Sequence, residues 1–132
     1  MGSLQTQKCT HRLIHKNIIL LKINEGETIE AGDVLQMHDA HLKLSKGEPF
    51  AVLLDATTHF TVTTEARTMI AGSFRGQLVA SAFVLNSLAT RLTGNFFIRF
   101  HKPVNPTRLF NDEKKAFDWL RAQMDKKVLA EG

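Results

Sequence analysis

The stretch Phe50-Ala51-Val52-Leu53-Leu54-Asp55-Ala56-Thr57-Thr58-His59 decides the architecture. Its apolar half does not alternate with polar residues, the pattern of a strand covered on both faces. Asp55 ends the run, and a short polar stretch follows. Upstream, Ile18-Ile19-Leu20-Leu21 repeats the pattern, so Ile18–Ile23 reads as a second central strand. Lys16-Asn17 separates it from the apolar segment Arg12–His15. Asn tolerates positive φ, so these two segments are expected to form a tight hairpin.

The rest of the chain alternates helices with strands. Glu25-Gly26-Glu27 breaks the second apolar run. Thr28 reads as the cap of a helix reaching about Leu44, with Glu30 in its first turn, where negative charge suits the helix dipole. Ala31, Val34, Leu35, His38 and Leu42 share one face of that helix. Lys46-Gly47-Glu48-Pro49 makes the turn into Phe50. A short helix is expected from Thr63 or Thr64, burying Ala66, Met69 and Ile70. Leu78–Leu85 is the next strand, rich in small residues.

Asn86-Ser87 offers another cap, and Leu85, Leu88, Leu92 and Phe96 keep helical spacing up to Gly94-Asn95, where a helix ends or bends. After the loop Lys102-Pro103-Val104-Asn105-Pro106 comes a last strand, Thr107–Phe110. Asn111 is expected to cap the final helix, with Asp112 and Glu113 in its first turn. Its stripe is Ala116, Phe117, Leu120 and Met124, flanked by Trp119. The order β-β-α-β-α-β-α-β-α predicts a single-domain α/β fold: a mostly parallel sheet of about five strands, an N-terminal β-hairpin and covering helices. Residues 1–7 read as a flexible start, 8–125 as the domain and 126–132 as a frayed end.

Composition agrees with one globular domain. The chain has 132 residues, 43% of them apolar and 23% charged, which argues against disorder. No apolar run approaches the roughly 20 residues of a membrane span, and the first residues lack the apolar core of a secretory signal. A lone Cys9 makes no internal disulfide, which fits a reducing compartment and a cytoplasmic location. The net charge of +4 is unevenly placed. No Asp or Glu occurs from Ala66 to Asn111, where Arg67, Arg75, Arg91, Arg99, Lys102 and Arg108 all lie. Such a face attracts phosphates, anionic lipid or nucleic acid. Six cations over that length, without an RNA- or DNA-binding motif, read as solvated surface, and no nucleic-acid partner is expected.

The order of elements and several phrases resemble the bacterial SpoIIAA-like superfamily, which includes the STAS domains of anti-sigma factor antagonists and is similar in fold to CRAL-TRIO lipid-binding domains. The phrases are Val52-Leu53-Leu54-Asp55, Glu65-Ala66-Arg67, Gly94-Asn95-Phe96-Phe97-Ile98 and Pro106-Thr107-Arg108-Leu109-Phe110-Asn111-Asp112-Glu113, followed by Ala116 and Trp119-Leu120. They look like those of an uncharacterised STAS-like family of Bacteroidetes, and they span roughly His11 to Arg121. The resemblance implies a binding or regulatory module and not an enzyme. In regulatory STAS proteins a Ser at a helix start accepts a phosphate. The matching place here is Val62-Thr63-Thr64-Glu65-Ala66, without the family's preceding Asp and following Gly.

Candidate chemistry gathers in the turn from Asp55 to Arg67. It leaves the C-terminal end of a parallel strand, where open α/β sheets bind ligands, and leads to a helix N-terminus that can hold an anion. Asp55, Thr58, His59, Thr63, Thr64 and Arg67 are the candidate binding residues. The plainer roles are an N-cap for the threonines and a bond from Asp55 to the backbone of its own turn. A second candidate is a pocket between helix and sheet at Arg91, Asn95, Phe96 and Arg99, suited to a lipid-like ligand. A core packed full in so small a domain would leave little room for one.

His38 and His41 stand three apart, and His11 and His15 four apart, but neither pair comes with the further ligands a metal needs. No metal, no cofactor and no catalytic residue are expected: Cys9 lacks a base, and Gly-x-Ser-x-Gly and Walker-type phrases are absent. The leading expectation is a non-enzymatic interaction or regulatory module that contacts another protein, or a second copy of itself, through the Asp55–Arg67 turn. The alternative is a domain binding a small anionic or lipid-like ligand.

Overall fold

Both apolar runs lie at the centre of one sheet. A computed structural model describes residues 2–72 and 76–131, so Arg75 lies outside the described residues. The elements in chain order are β1 (Ser3–Gln5), β2 (Cys9–His15), β3 (Ile18–Ile23), β4 (Thr28–Ile29), α1 (Ala31–Ser45), β5 (Phe50–Asp55) and β6 (Thr61–Val62). There follow α2 (Thr64–Ala71), β7 (Leu78–Val84), α3 (Leu88–Phe96), a π-helical turn (Phe97–His101), β8 (Thr107–Phe110) and α4 (Glu113–Glu131). The sheet order is β1-β2-β3-β5-β7-β8. β1, β2 and β3 pair antiparallel, and β3, β5, β7 and β8 run parallel. Lys16 takes positive φ in the expected hairpin.

Register sorts the side chains onto two faces. Ile18–Ala51–Ala80 and Leu20–Leu53–Ala82 form rows on one face. The α4 residues Ala116 and Leu120 bury against them. Alanines in the floor let the helix axis come close, since large side chains on both partners would hold it off. On the opposite face lie the rows Ile19–Val52–Ser81 and Leu21–Leu54–Phe83. α1 and α2 pack on that side, with Ile29, Val34, Met37, Leu44, Phe50 and Ala66 in the shared core.

Several boundaries differ from the sequence expectation. Thr28 pairs in β4 with Thr61 of β6, its hydroxyl 2.9 Å from the Thr61 hydroxyl, so Glu30 and not Thr28 precedes the helix. α1 buries Val34 of the expected stripe together with Met37, His41 and Leu44, which the stripe left out; His38 and Leu42 are half-buried and Leu35 is exposed. A polar ring can occupy that face because His11 of β2 meets it: His11 Nδ1 lies 2.9 Å from His41 Nε2, and His11 Nε2 lies 2.9 Å from the Thr6 hydroxyl.

At the final helix, Asp112 Oδ1 accepts the Lys114 N–H at 2.8 Å, so Asp112 caps it in place of Asn111. The expected flexible start contains an edge strand, β1, paired to β2 and extended by the Leu13 N–H to Gly2 carbonyl bond at 2.9 Å. α4 likewise runs on to Glu131 through Lys126, Lys127 and Leu129, which are good helix formers.

One ion pair ties the residue before β2 to α1. Lys8 Nζ donates to Asp33 Oδ2 and to the Thr28 carbonyl, both at 2.7 Å, and Asp33 Oδ2 also accepts the Glu30 N–H at 2.8 Å. Burial alone would raise the Asp33 pKa, but the Lys8 hydrogen bond, the Glu30 N–H and the Lys8 charge outweigh it and hold it below the ordinary aspartate value. A lowered folded-state pKa contributes stability that is complete above the unfolded value and is lost as pH falls through the folded one. Urea melts should therefore show Asp33→Asn less stable than the parent at pH 7, with the gap closing as pH falls below about 4. On the other face, Ala82→Leu should cost about 1–3 kcal/mol by forcing α4 off the sheet. A shift of the urea midpoint at unchanged slope would measure that cost.

Candidate functional site

Parallel strands bring the ends of β3 and β5 to the same edge of the sheet, and the loops that leave them are stitched together. The Thr58 hydroxyl donates to the Ile23 carbonyl at 2.8 Å. The Glu25 carboxylate accepts the His59 N–H at 2.8 Å, and Gly26, at φ +82°, donates its N–H to the His59 carbonyl at 2.7 Å. The chain can then pair β4 with β6 as a small parallel ribbon beside the main sheet. Asp55 is used locally: its Oδ1 accepts the Thr57 N–H at 3.0 Å and the Thr57 hydroxyl.

A cavity of about 420 Å3 lies between the ribbon, the helices and the sheet. Leu21, Leu54 and Phe83 form its floor, and Leu54 and Phe83 remain half-buried although they lie on interior strands. Met37 of α1, Ile70 of α2 and Phe97 after α3 complete an apolar lining. The space persists because α2 and α3 stand on different supports. α2, only eight residues long, packs against α1. α3 sits over β8, where a Cβ on Gly94 would lie 3.0 Å from Leu109 Cδ2. The expectation that so small a domain packs its interior full is therefore corrected: two separately anchored helices leave the floor between them uncovered.

Few polar groups reach this cavity. Arg67 is the one Lys or Arg among the described lining residues, and its Nε donates to the Val62 carbonyl at 3.0 Å, which anchors the guanidinium to β6. Ser81 stands on the floor and Thr90 and Thr93 on the α3 wall. An apolar volume with one fixed cation and a few hydroxyls can hold an apolar body and orient a single anionic or acceptor group.

Of the candidates in the Asp55–Arg67 turn, Thr58, His59 and Arg67 line the cavity, whereas Asp55, Thr63 and Thr64 do not. Asp55 borders a separate depression beside Arg12 and Lys22. The Thr63 hydroxyl accepts the Ala66 N–H at 3.1 Å as the N-cap of α2, and Thr64 is exposed. Arg91, Asn95, Phe96 and Arg99 lie outside the cavity lining; Thr90, Thr93, Gly94 and Phe97 supply the α3 wall. The cavity thus takes three residues of the turn and none of the four named for the helix–sheet pocket, whose sequence neighbours line it instead. Sequence reasoning missed the floor, because Leu21, Leu54 and Phe83 look like core residues and only the register places them beneath a gap.

Cys9 is buried, and burial pushes its thiol up to about 11, the opposite of an activated nucleophile. Among the described residues no three His, Cys, Asp or Glu side chains converge as a metal cluster would require, and no helix is long and apolar enough to cross a membrane.

A family described as "Domain of unknown function (DUF7793)" matches residues 13–124. A crystal structure of an uncharacterised protein of the DUF3478 family from Shewanella loihica PV-4, described as having a SpoIIAA-like fold, is similar with a TM-score of 0.56 at 17% identity. The likeness covers 90% of each chain and shows the fold, which is SpoIIAA-like. No curated protein matches the chain.

The two threonines at the start of α2 can be told apart by substitution. Thr63→Ala should lower stability by about 1 kcal/mol through loss of the cap. Thr64→Ala should stay within about 0.5 kcal/mol of the parent. Paired thermal melts of the two variants check this.

Proposed function

The chain belongs to the family described as a domain of unknown function, DUF7793, and we propose that it is a non-enzymatic binding domain for a small, largely apolar ligand carrying one anionic group. The cavity carries this reading: about 420 Å3, lined mainly by apolar side chains, with Arg67 as its one fixed cation among the described residues. That volume falls within the roughly 300–1,000 Å3 of small-molecule sites. At about 30 Å3 per liquid water, it has room for roughly a dozen non-hydrogen atoms, enough for a medium-length acyl chain or a fused-ring acid. The hydrophobic effect drives the apolar body onto Leu54 and Phe83, and Arg67 meets the charged end in a low-dielectric setting where a charge-assisted bond is stronger than in water. A lone cysteine is in keeping with work in the cytoplasm.

A contact with another protein, or with a second copy of this chain, through the outer side of the Asp55–Arg67 turn is the second reading. It is favoured by the exposed Thr57 and Thr64, which belong to the same turn and lie outside the cavity lining. Thr64→Glu separates the two readings, because it alters the outer surface and leaves the cavity untouched.

Isothermal titration with decanoate and with decanol tests the proposal. Decanoate should bind at least tenfold more tightly than decanol, and Arg67→Ala should remove that preference while decanol binding changes little. Ser81→Phe, which projects a ring from the floor, should abolish both while the protein remains folded by circular dichroism. Indifference of binding to both substitutions, or no binding of either probe, would reject the cavity as the site.

A further inference from the structure

We propose that α3 and the π-helical turn after it dock onto an anionic lipid bilayer. The observation is a stripe of large apolar side chains that the fold leaves uncovered. Leu88, Leu92, Phe96 and Phe100 recur every fourth residue and are 72%, 60%, 45% and 64% exposed, and Val104 in the loop after them is exposed as well. Every fourth residue drifts around a helix of 3.6 residues per turn, and the wider turn at Phe97–His101 counters that drift. Phe96 and Phe100 therefore stack with ring centroids 4.5 Å apart, and the stripe stays on one side of the segment. The opposite side is the one that holds the domain, through buried Gly94 and Phe97.

Charge identifies the occupant. Arg91 lies half-buried beside the stripe, and Arg99 and Lys102 are exposed next to it. Arg108 on β8 is exposed as well. All thirteen acidic residues of the chain fall outside positions 66–111, so no carboxylate from this segment neutralises these cations. Two copies meeting through this face would bring their arginines together without a compensating acid. An anionic bilayer supplies both complements at once: phosphate headgroups for the cations and an acyl boundary for the leucines and phenylalanines. A helix with an apolar stripe edged by Arg and Lys has the form of an interfacial helix, and cations near an anionic surface add to its attraction.

The inference goes beyond the ligand cavity and stands independently of it, although the two are joined in space. The inner side of α3, through Thr90, Thr93 and Gly94, is a wall of that cavity. Docking would place this wall next to the bilayer.

Flotation of the full chain with phosphatidylcholine vesicles, with and without about one third phosphatidylglycerol, tests the docking. The parent should float with the anionic vesicles at least tenfold more than with the neutral ones, and raised salt should weaken it. Leu92→Glu and Phe100→Glu change exposed side chains and should each cut flotation at least tenfold at unchanged melting temperature. Arg99→Glu should cut it severalfold, and Lys126→Glu, on the exposed end of α4, should leave it intact. Three outcomes overturn the proposal: no preference for anionic vesicles, flotation unaffected by Leu92→Glu, or a concentration-dependent dimer of the parent that Leu92→Glu dissolves. None of these depends on decanoate binding, so the docking and the cavity can fail separately.

Discussion

β3, β5 and β7 are apolar on both faces, and interior strands of that kind must be covered on both sides for the sheet to be stable. The covering is unequal, and most of the molecule's character follows from how it is done. On one face Ala51, Ala80 and Ala82 make a shallow floor, and a single long helix, α4, seats Ala116 and Leu120 against it. On the other face the floor consists of larger residues, and three shorter helices share the work of covering it. α1 is fastened by the Lys8–Asp33 pair and by the His11–His41 contact. α2 leans on α1, and α3 stands on β8 through the close approach of Gly94 to Leu109. Three separately fastened pieces tile a flat floor less completely than one continuous helix does, and the open volume lies where their supports diverge.

The ribbon of β4 and β6 belongs to the same arrangement. Loops leaving the ends of parallel strands emerge on one edge and have unpaired backbone groups to satisfy. Here they satisfy one another, through the Thr61 N–H to Glu27 carbonyl and the Thr63 N–H to Ile29 carbonyl, each 3.0 Å. A segment that reads as a polar loop becomes ordered backbone beside the cavity, and it positions Thr58, His59 and Arg67 on the lining.

α3 serves two environments. Its inner side needs a residue without a side chain at Gly94 to reach the sheet, and its outer side presents leucine and phenylalanine to solvent. Exposure of that much apolar surface is costly unless something covers it part of the time. The helix that closes the cavity is therefore also the one with an uncovered face.

Much of the architecture was legible in the chain. The unalternating runs at 18–21 and 50–54 identify central strands, because only strands covered on both faces can be apolar at every position. The helices after them follow from spacing and caps, with Thr63 and Ser87 accepting the expected N-cap bonds. Short strands such as β1, β4 and β6 were not legible, since two or three residues carry no periodicity and their pairing partners are distant in sequence. The buried face of α1 was legible only in part, through Val34 and Leu42. A helix with two possible stripes is resolved by what it packs on, and His41 is buried because His11, thirty positions earlier, meets its ring. Of the candidate site, the turn residues Thr58, His59 and Arg67 could be picked out by their position after a parallel strand. The floor of Leu21, Leu54 and Phe83 could not, because an apolar residue reads the same in sequence whether its neighbour is a side chain or an empty volume. What the sequence determines alone is set by local pattern and backbone chemistry. The cavity and the bare face of α3 are decided by the tertiary structure, because one depends on how the helices are supported over the floor and the other on which side of α3 the sheet takes up.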